Sequence, residues 1–431
     1  MSAPILFENA LEAAALAIEQ AGVDLTGCEA TLLRDLRGKL RLHIKSPAGQ
    51  SWLKTAKNVL KKALESVEPF GTGVVYLETD GGSHSKDFPL EEILKKERVK
   101  ADLGGPSPKA AWYRLERRFS KQSWLEVQGT PQEPWSLVDE APTVLSFYGF
   151  KGGVGRTTAL AAFALFAAEE LSKNVVVVDL DLESPGIGSL LVGAGVEIDL
   201  GVVDFLLEQQ IQRKTSLSLE RFWINSPYVG GSGSIRVVPA GQLNLHYLEK
   251  LGRVDVQGLV EPGQPIRSPM LALLTRLRDE VKPDVILLDV RAGFHDVGGV
   301  SLSGLSHLEL IFATHAPQTW AGLPIVLNHL GYLRADWVKL VHTMVPPKTR
   351  GGDALREQFV ARAYNVCSEN YYQKDQVPGP QDEDATHSAY RLPFREALLA
   401  LGDLGTAKAE LLADEHRMFC GKLAEDIGLT S

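Results

Sequence analysis

Between Thr143 and Val178 the chain runs from an apolar stretch into Gly149-Phe-Lys-Gly-Gly-Val-Gly-Arg-Thr-Thr158. An alanine- and phenylalanine-rich stretch follows, and then Val175-Val-Val-Val178. Glycines at 152, 153 and 155 open backbone conformations closed to other residues, so successive N–H groups can point at one anion. A helix opening at Thr157, with Ala159, Ala162, Phe163, Phe166 and Ala167 along it, sets its partially positive N-terminus behind the loop. The order strand, loop, helix is that of a phosphate-binding loop. Gly152, Gly153, Val154, Gly155, Arg156, Thr157 and Thr158 are the expected contacts, and the Thr157 hydroxyl is the expected oxygen ligand of a nucleotide-bound Mg2+. A glycine turn without a ligand is the plain alternative, but packing alone does not call for two flanking cations, Lys151 and Arg156, as well.

At 431 residues the chain exceeds one typical domain. With 44% hydrophobic and 23% charged residues it reads as a globular protein. Its longest apolar runs, Ala159–Ala168 and Val285–Leu288, are too short to span a bilayer. Glu8, Glu12 and Glu19 without a basic residue in the first twenty do not resemble a secretory signal. Cys28, Cys367 and Cys420 are isolated and lack metal spacing, so they read as incidental thiols of a cytoplasmic protein. Residues 1–137 hold 19 basic and 18 acidic side chains, which leaves the remainder at −10. That acidity argues against non-specific binding to nucleic acid, which rests on neutralising phosphates.

Two domains are expected, 1–137 ending in a linker and 138–431. The first reads as a smaller α/β or α+β unit. Leu6–Gln20 and Leu90–Val99 are helical, Ala30–Asp35 and Lys39–Ile44 form a hairpin about Arg37-Gly38, and Val74–Glu78 is a strand. Ser51–Val67 is an amphipathic helix, and Ala110–Leu125 also reads as helical. Gly129–Pro142 is the linker candidate. From Thr143 strands and helices alternate, which predicts a doubly wound, mostly parallel sheet. Its strands are Val144–Tyr148, Val175–Asp179, Ile235–Pro239, Val285–Asp289, Leu308–Thr314, Val338–Met344 and Ala389–Leu392. Val377–Thr386, rich in proline and acids, is expected as a mobile loop.

Asp179 and Asp181 close the second of these strands, at the carboxyl edge where doubly wound sheets bind ligands. With Thr157 they offer the oxygen ligands that Mg2+ prefers, and one of them can orient an attacking water. Pro283-Asp-Val-Ile-Leu-Leu-Asp289 ends four apolar residues on an acid, a form suited to a metal-bound water. Ala292-Gly293 provides a flexible peptide where a γ-phosphate sensor belongs. Arg291 can pair with an acid, contact a partner or be solvated.

Lys-Gly-Gly-x-Gly-Arg-Thr, with its early Lys151, resembles the deviant Walker A loop of the MinD/ParA family of P-loop ATPases. Asp179-Leu-Asp181, Asp289 with Gly293, Arg236-Val-Val-Pro-Ala-Gly241, Val341-His-Thr-Met-Val-Pro-Pro347 and Arg391-Leu-Pro-Phe-Arg-Glu-Ala397 extend the likeness over roughly residues 143–428. The resemblance implies an ATP-binding, Rossmann-like P-loop domain that hydrolyses ATP with Mg2+ and dimerises when ATP is bound. It implies Lys151, Arg156 and Asp181 as catalytic residues and Thr157, Asp179 and Asp289 around the metal. Met344 and Pro346 would line the adenine pocket, and Lys151 would act on the phosphates of the other subunit. Arg156 stands where the family has lysine, and a planar fork does not replace a compact charge without altering geometry.

Other branches of that family fit less well. The tail from Glu410 carries Asp414, Glu415, Glu425 and Asp426 against Arg417 and Lys422, so it is a poor membrane anchor. Three scattered cysteines cannot hold an iron–sulfur cluster as nitrogenase reductases do. Tyr364, Tyr371 and Tyr372 lie well before the end, unlike the tyrosine cluster of related kinases. In residues 1–137, Lys54, Lys57, Lys61 and Lys62, and then Arg114, Arg117, Arg118 and Lys121 beside Trp112 and Trp124, are open to three readings. They form a nucleic-acid surface, a solvated face over an aromatic core, or part of a protein-docking module. The expected partner is a second copy of the chain and a protein held by residues 1–137. A P-loop module using nucleotide only for structure, or a ParA-like ATPase associated with nucleic acid, is the alternative.

Overall fold

The computed structural model describes residues 4–47, 53–78, 90–118, 120–125, 133–138, 141–193, 195–212, 217–260, 267–333, 337–399 and 404–430. The chain forms two compact units, Met1–Phe119 and Ser120–Ser431. The division falls earlier than the position 138 read from the sequence.

The first unit is a five-stranded sheet in the order β3-β2-β1-β5-β4. Its strands are β1 (Glu29–Arg34), β2 (Leu40–Lys45), β3 (Gly71–Glu78), β4 (Val99–Lys100) and β5 (Ala111–Glu116). The β1–β2 hairpin forms because Gly38 takes φ +79° and one Asp35 oxygen accepts from the N–H groups of Arg37 and Lys39. Helices Ala10–Glu19, Leu53–Glu65 and Leu90–Glu97 complete the unit. Ile18, Leu25, Leu32, Leu42, Leu60 and Trp112 meet in its core.

Ala110–Leu125 is not a helix. It holds β5, paired in parallel with β1 so that Trp112 lies beside Ala30, and then a short helix, Gln122–Leu125. Non-local pairing decides this segment over its helical spacing. The basic array expected along that helix is therefore not formed: Arg117 pairs with Glu97, and Lys121 belongs to the second unit. Lys57, Lys61 and Lys62 are exposed on helix Leu53–Glu65, while the side chain of Lys54 lies outside the described residues.

The second unit is an eight-stranded sheet ordered β13-β12-β11-β6-β10-β7-β9-β8. Its strands are β6 (Thr143–Tyr148), β7 (Asn174–Leu180), β8 (Ile224–Asn225), β9 (Ser234–Val238), β10 (Val285–Val290), β11 (Leu308–Ala313), β12 (Val338–Val345) and β13 (Tyr390–Pro393). All neighbours are parallel except the edge pair β8–β9. Each strand expected after residue 143 is present with its ends moved by a residue or two, and the short β8 is additional. Helix Arg156–Glu169 is apolar on all sides because it is buried on all sides, between the sheet and helix Asp414–Asp426.

Residues before β6 also belong to this core. Trp124 and Trp135 are each only 9% exposed, and the Trp135 indole donates to the Pro142 carbonyl at 3.0 Å. The 377–386 segment is fastened: Lys339 donates to the carbonyls of Glu383 and Ala385, and the Thr386 carbonyl accepts from the Leu340 N–H. All three cysteines are buried, and none forms a disulfide. Among the described residues no helix is long and apolar enough to cross a membrane.

Glu19 ties the first unit together. One carboxylate oxygen accepts from Trp112 Nε1 at 2.9 Å and from the Ala110 N–H at 3.1 Å, and the Lys109 N–H also reaches the group. Glu19→Ala leaves these donors without their acceptor and should destabilise this unit by about 2 kcal/mol. Hydrogen exchange is expected to rise at residues 109–112 with no change in the second unit.

Candidate functional site

The strand order sets the carboxyl ends of β6, β10 and β7 side by side, and the 149–155 loop leaves β6 at that edge. Gly153 and Gly155 have φ of +72° and +84°, where a side chain would be strained. A Cβ at 152, 153 or 155 would meet nothing within 4 Å, so the loop opens onto free space. Gly155 caps helix Arg156–Glu169, and Val154 turns inward, 2% exposed. Thr157, Thr158 and Lys151 are half-buried around the mouth, and Lys151 makes no ion pair among the described residues.

The carboxylates converge from two neighbouring strands. Asp289 of β10 lies in register with Asp179 of β7, 1% and 0% exposed. The Thr157 hydroxyl donates to one Asp289 oxygen at 2.9 Å, while the other, Oδ1, is buried without a partner. Burial, against which Arg156 and Thr157 act, pushes the Asp289 carboxyl up to about 6. Burial and then the Asp289 charge hold Asp179 well above the ordinary range, although it accepts from the N–H groups of Gly188 and Asp181. Asp181, 9% exposed, accepts from the Ser184 N–H and hydroxyl at 3.3 and 3.0 Å.

Arg156 points beneath the loop. The residue is 7% exposed, and its guanidinium donates to the Val290 carbonyl at 2.7 Å and lies 3.7 Å from Asp181 Oδ2. It thus holds the end of β10 to the turn after β7, instead of facing the loop's open mouth. Arg291 pairs with Glu183, which His295 also approaches at 3.4 Å, so of its three readings the ion pair is the one formed. Gly293, at φ +79°, accepts from the Tyr148 hydroxyl at 3.2 Å, and its N–H reaches the Gly149 carbonyl. The loops after β6 and β10 are therefore joined.

Met344 lies at the same edge, at a bulge in β12 where it takes φ +52° and is 42% exposed. Arg356 donates to the carbonyls of Pro346 and Pro347. β12 stands two strands from β6, about 10 Å across the sheet. That offset suits a base when phosphates sit on the loop. Sequence reasoning passed over Ser184, although it lies in the Asp179–Ser184 run. It also passed over Tyr247, whose hydroxyl donates to the Leu182 carbonyl from a distant helix with no local signal.

Thr157 Oγ, the orphaned Asp289 oxygen and Asp179 are hard oxygen donors converging where positive charge is short. They fit Mg2+.

No family model matches the chain, and no curated protein does. Among solved structures the chain is similar to the ParA family ATPase from Chlorobium tepidum TLS (17% identity over 65% of this chain and 99% of that one, TM-score 0.44). It is also similar to pNOB8 ParA (19%, 66% and 99%, 0.45) and to the cell division ATPase MinD of Pyrococcus furiosus (18%, 67% and 99%, 0.45).

A carboxyl raised by folding binds its proton more tightly folded than unfolded, so its contribution to stability falls as pH rises through the folded value. Asp289→Asn removes that loss. In metal-free protein the variant should gain stability over wild type as pH rises through about 6, by on the order of 2 kcal/mol at pH 8. Urea unfolding at pH 5 and pH 8 reads the difference.

Proposed function

We propose that this chain is a Mg2+-dependent, ATP-binding switch that hydrolyses ATP slowly, pairs with a second copy when ATP is bound, and acts on a protein partner through its N-terminal unit. The observation that carries this reading is the orphaned, buried Asp289 oxygen beside Thr157, at the mouth of an open glycine loop. In the proposal the N–H groups of 152–158 cradle the phosphates, and Met344 and Pro346 bound the base. Thr157, Asp179 and Asp289 hold Mg2+ directly or through its waters. The metal would neutralise the phosphate oxygens and stabilise charge in phosphoryl transfer. Asp181, anchored by Ser184 and Arg156, orients the water.

Lys151 takes its role from the resemblance to MinD and ParA ATPases: it reaches the phosphates of the second copy, where two facing triphosphates repel one another. Arg156 is a positioning residue in this account, since its guanidinium grips the Val290 carbonyl and Asp181. The inward turn of Arg156 also favours a second reading, a binding module that holds nucleotide without turning it over. Phosphate release separates the two: above background in wild type and lost in Asp181→Ala for the switch, absent in both for the module.

Thr157→Ala should weaken Mg·ATP binding tenfold or more in calorimetry, as loss of a metal ligand and its bond to Asp289 requires; unchanged affinity would remove Thr157 from the site. Asp181→Ala should bind ATP and persist as a dimer in light scattering. Adding Lys151→Ala should return it to monomer with nucleotide still bound, whereas a dimer that ignores Lys151 counts against its action across the pair.

A further inference from the structure

The segment that leaves the N-terminal unit is fastened to the loop that follows Asp289. Ser120–Leu125 begins the second unit, directly after Phe119. The Lys121 N–H donates to Asp296 Oδ2 at 2.8 Å, with Lys121 at φ +70°, a conformation that a non-glycine residue holds only under restraint. The Ser123 hydroxyl donates to the Asp296 carbonyl at 3.0 Å and lies 3.2 Å from its Oδ1. Trp124 Nε1 donates to the His295 carbonyl at 2.7 Å. The approach is too close for any side chain at Gly299, where a Cβ would meet Ser123 Oγ at 2.4 Å and Trp124 Nε1 at 2.9 Å.

Aromatic rings continue the connection into the phosphate loop. Trp124 meets Phe294 edge-on at 5.1 Å between centroids, and Phe294 meets Phe150 at 4.9 Å. Phe150 belongs to the glycine-rich loop, and its ring is seated against Gly322, where a Cβ would approach it to 2.2 Å. Trp124 also touches Tyr148, whose hydroxyl donates to Gly293. Residues 293–296 thus lie between the phosphate loop on one side and Ser120–Leu125 on the other.

We propose that Ser120–Leu125 is the output element of the nucleotide site. A shift of residues 291–296 between the ATP and ADP states moves or releases this clasp, and the change enters the N-terminal unit through the chain itself. The proposal rests on the ATP-switch reading. Coupling of this kind is reciprocal, so loosening the clasp must change the preference of the site for ATP over ADP by the factor through which nucleotide changes the clasp.

The test uses the full chain with Mg·ADP and with a Mg-bound, non-hydrolysable ATP analogue. Hydrogen exchange of the amides of residues 121–125 should differ severalfold between the two states. Asp296→Ala should abolish that difference and shift the analogue-to-ADP affinity ratio fivefold or more. Trp124→Phe, which keeps a ring but loses the bond to the His295 carbonyl, should shift the ratio in the same direction by less. A merely structural role would alter exchange equally in both states and leave the ratio alone. Equal exchange at 121–125 with both nucleotides bound, or an unchanged ratio in both variants, overturns the output element while leaving the switch standing. Failure of wild type to bind either nucleotide overturns the switch reading and the output element with it.

Discussion

Asp179 and Asp289 are set side by side by the parallel register of β7 and β10, and much at this edge answers to the cost of burying two carboxylates there. Both side chains are buried, and Asp181 lies two residues beyond Asp179, just after the end of β7. Two groups offset part of the negative charge: Thr157 donates to Asp289, and the Arg156 guanidinium stands between the Val290 carbonyl and Asp181. The remainder is met by raised carboxyl pKa values and by a buried oxygen without a partner. A fold that tolerates such an arrangement is destabilised unless a proton or a cation enters.

The same edge explains why the cation at 156 faces inward. A guanidinium offers donors in several directions, and here they span from the end of β10 to Asp181. A lysine could satisfy one of these contacts but not the fork. The open mouth of the loop is left with backbone N–H groups, the helix N-terminus and Lys151 as its positive elements. In the proposed cycle that composition would serve binding of a triphosphate more than its rapid cleavage.

The parallel sheet was legible because its strands are short, continuous apolar runs bounded by turns, a pattern that buried parallel strands share with little else. Gly153 and Gly155 were legible because the required backbone angles admit few other residues. Other features were hidden for identifiable reasons. Trp112 and Leu115 are spaced as on a helix face, yet the pairing of β5 with β1 makes them strand residues, and no local pattern announces a partner eighty residues away. The direction of Arg156 depends on Val290, a carbonyl that sequence does not display. Trp135 sits in what composition marks as a linker, and Trp124 at the end of what reads as a helix. Their burial depends on His295, His307 and Pro142, which only the folded sheet brings near.

The central claim is that the carboxylate cluster is built to receive a divalent cation with a nucleotide. Titrating the full chain with ATP near pH 6, with and without Mg2+, in two buffers of different ionisation enthalpy, tests it most directly. The account predicts that tight binding requires Mg2+ and expels protons from the cluster, since metal replaces the proton on raised carboxyls. Asp289→Asn should then release fewer protons. Binding of ATP with equal affinity in the absence of Mg2+, or with no protons released, would contradict it.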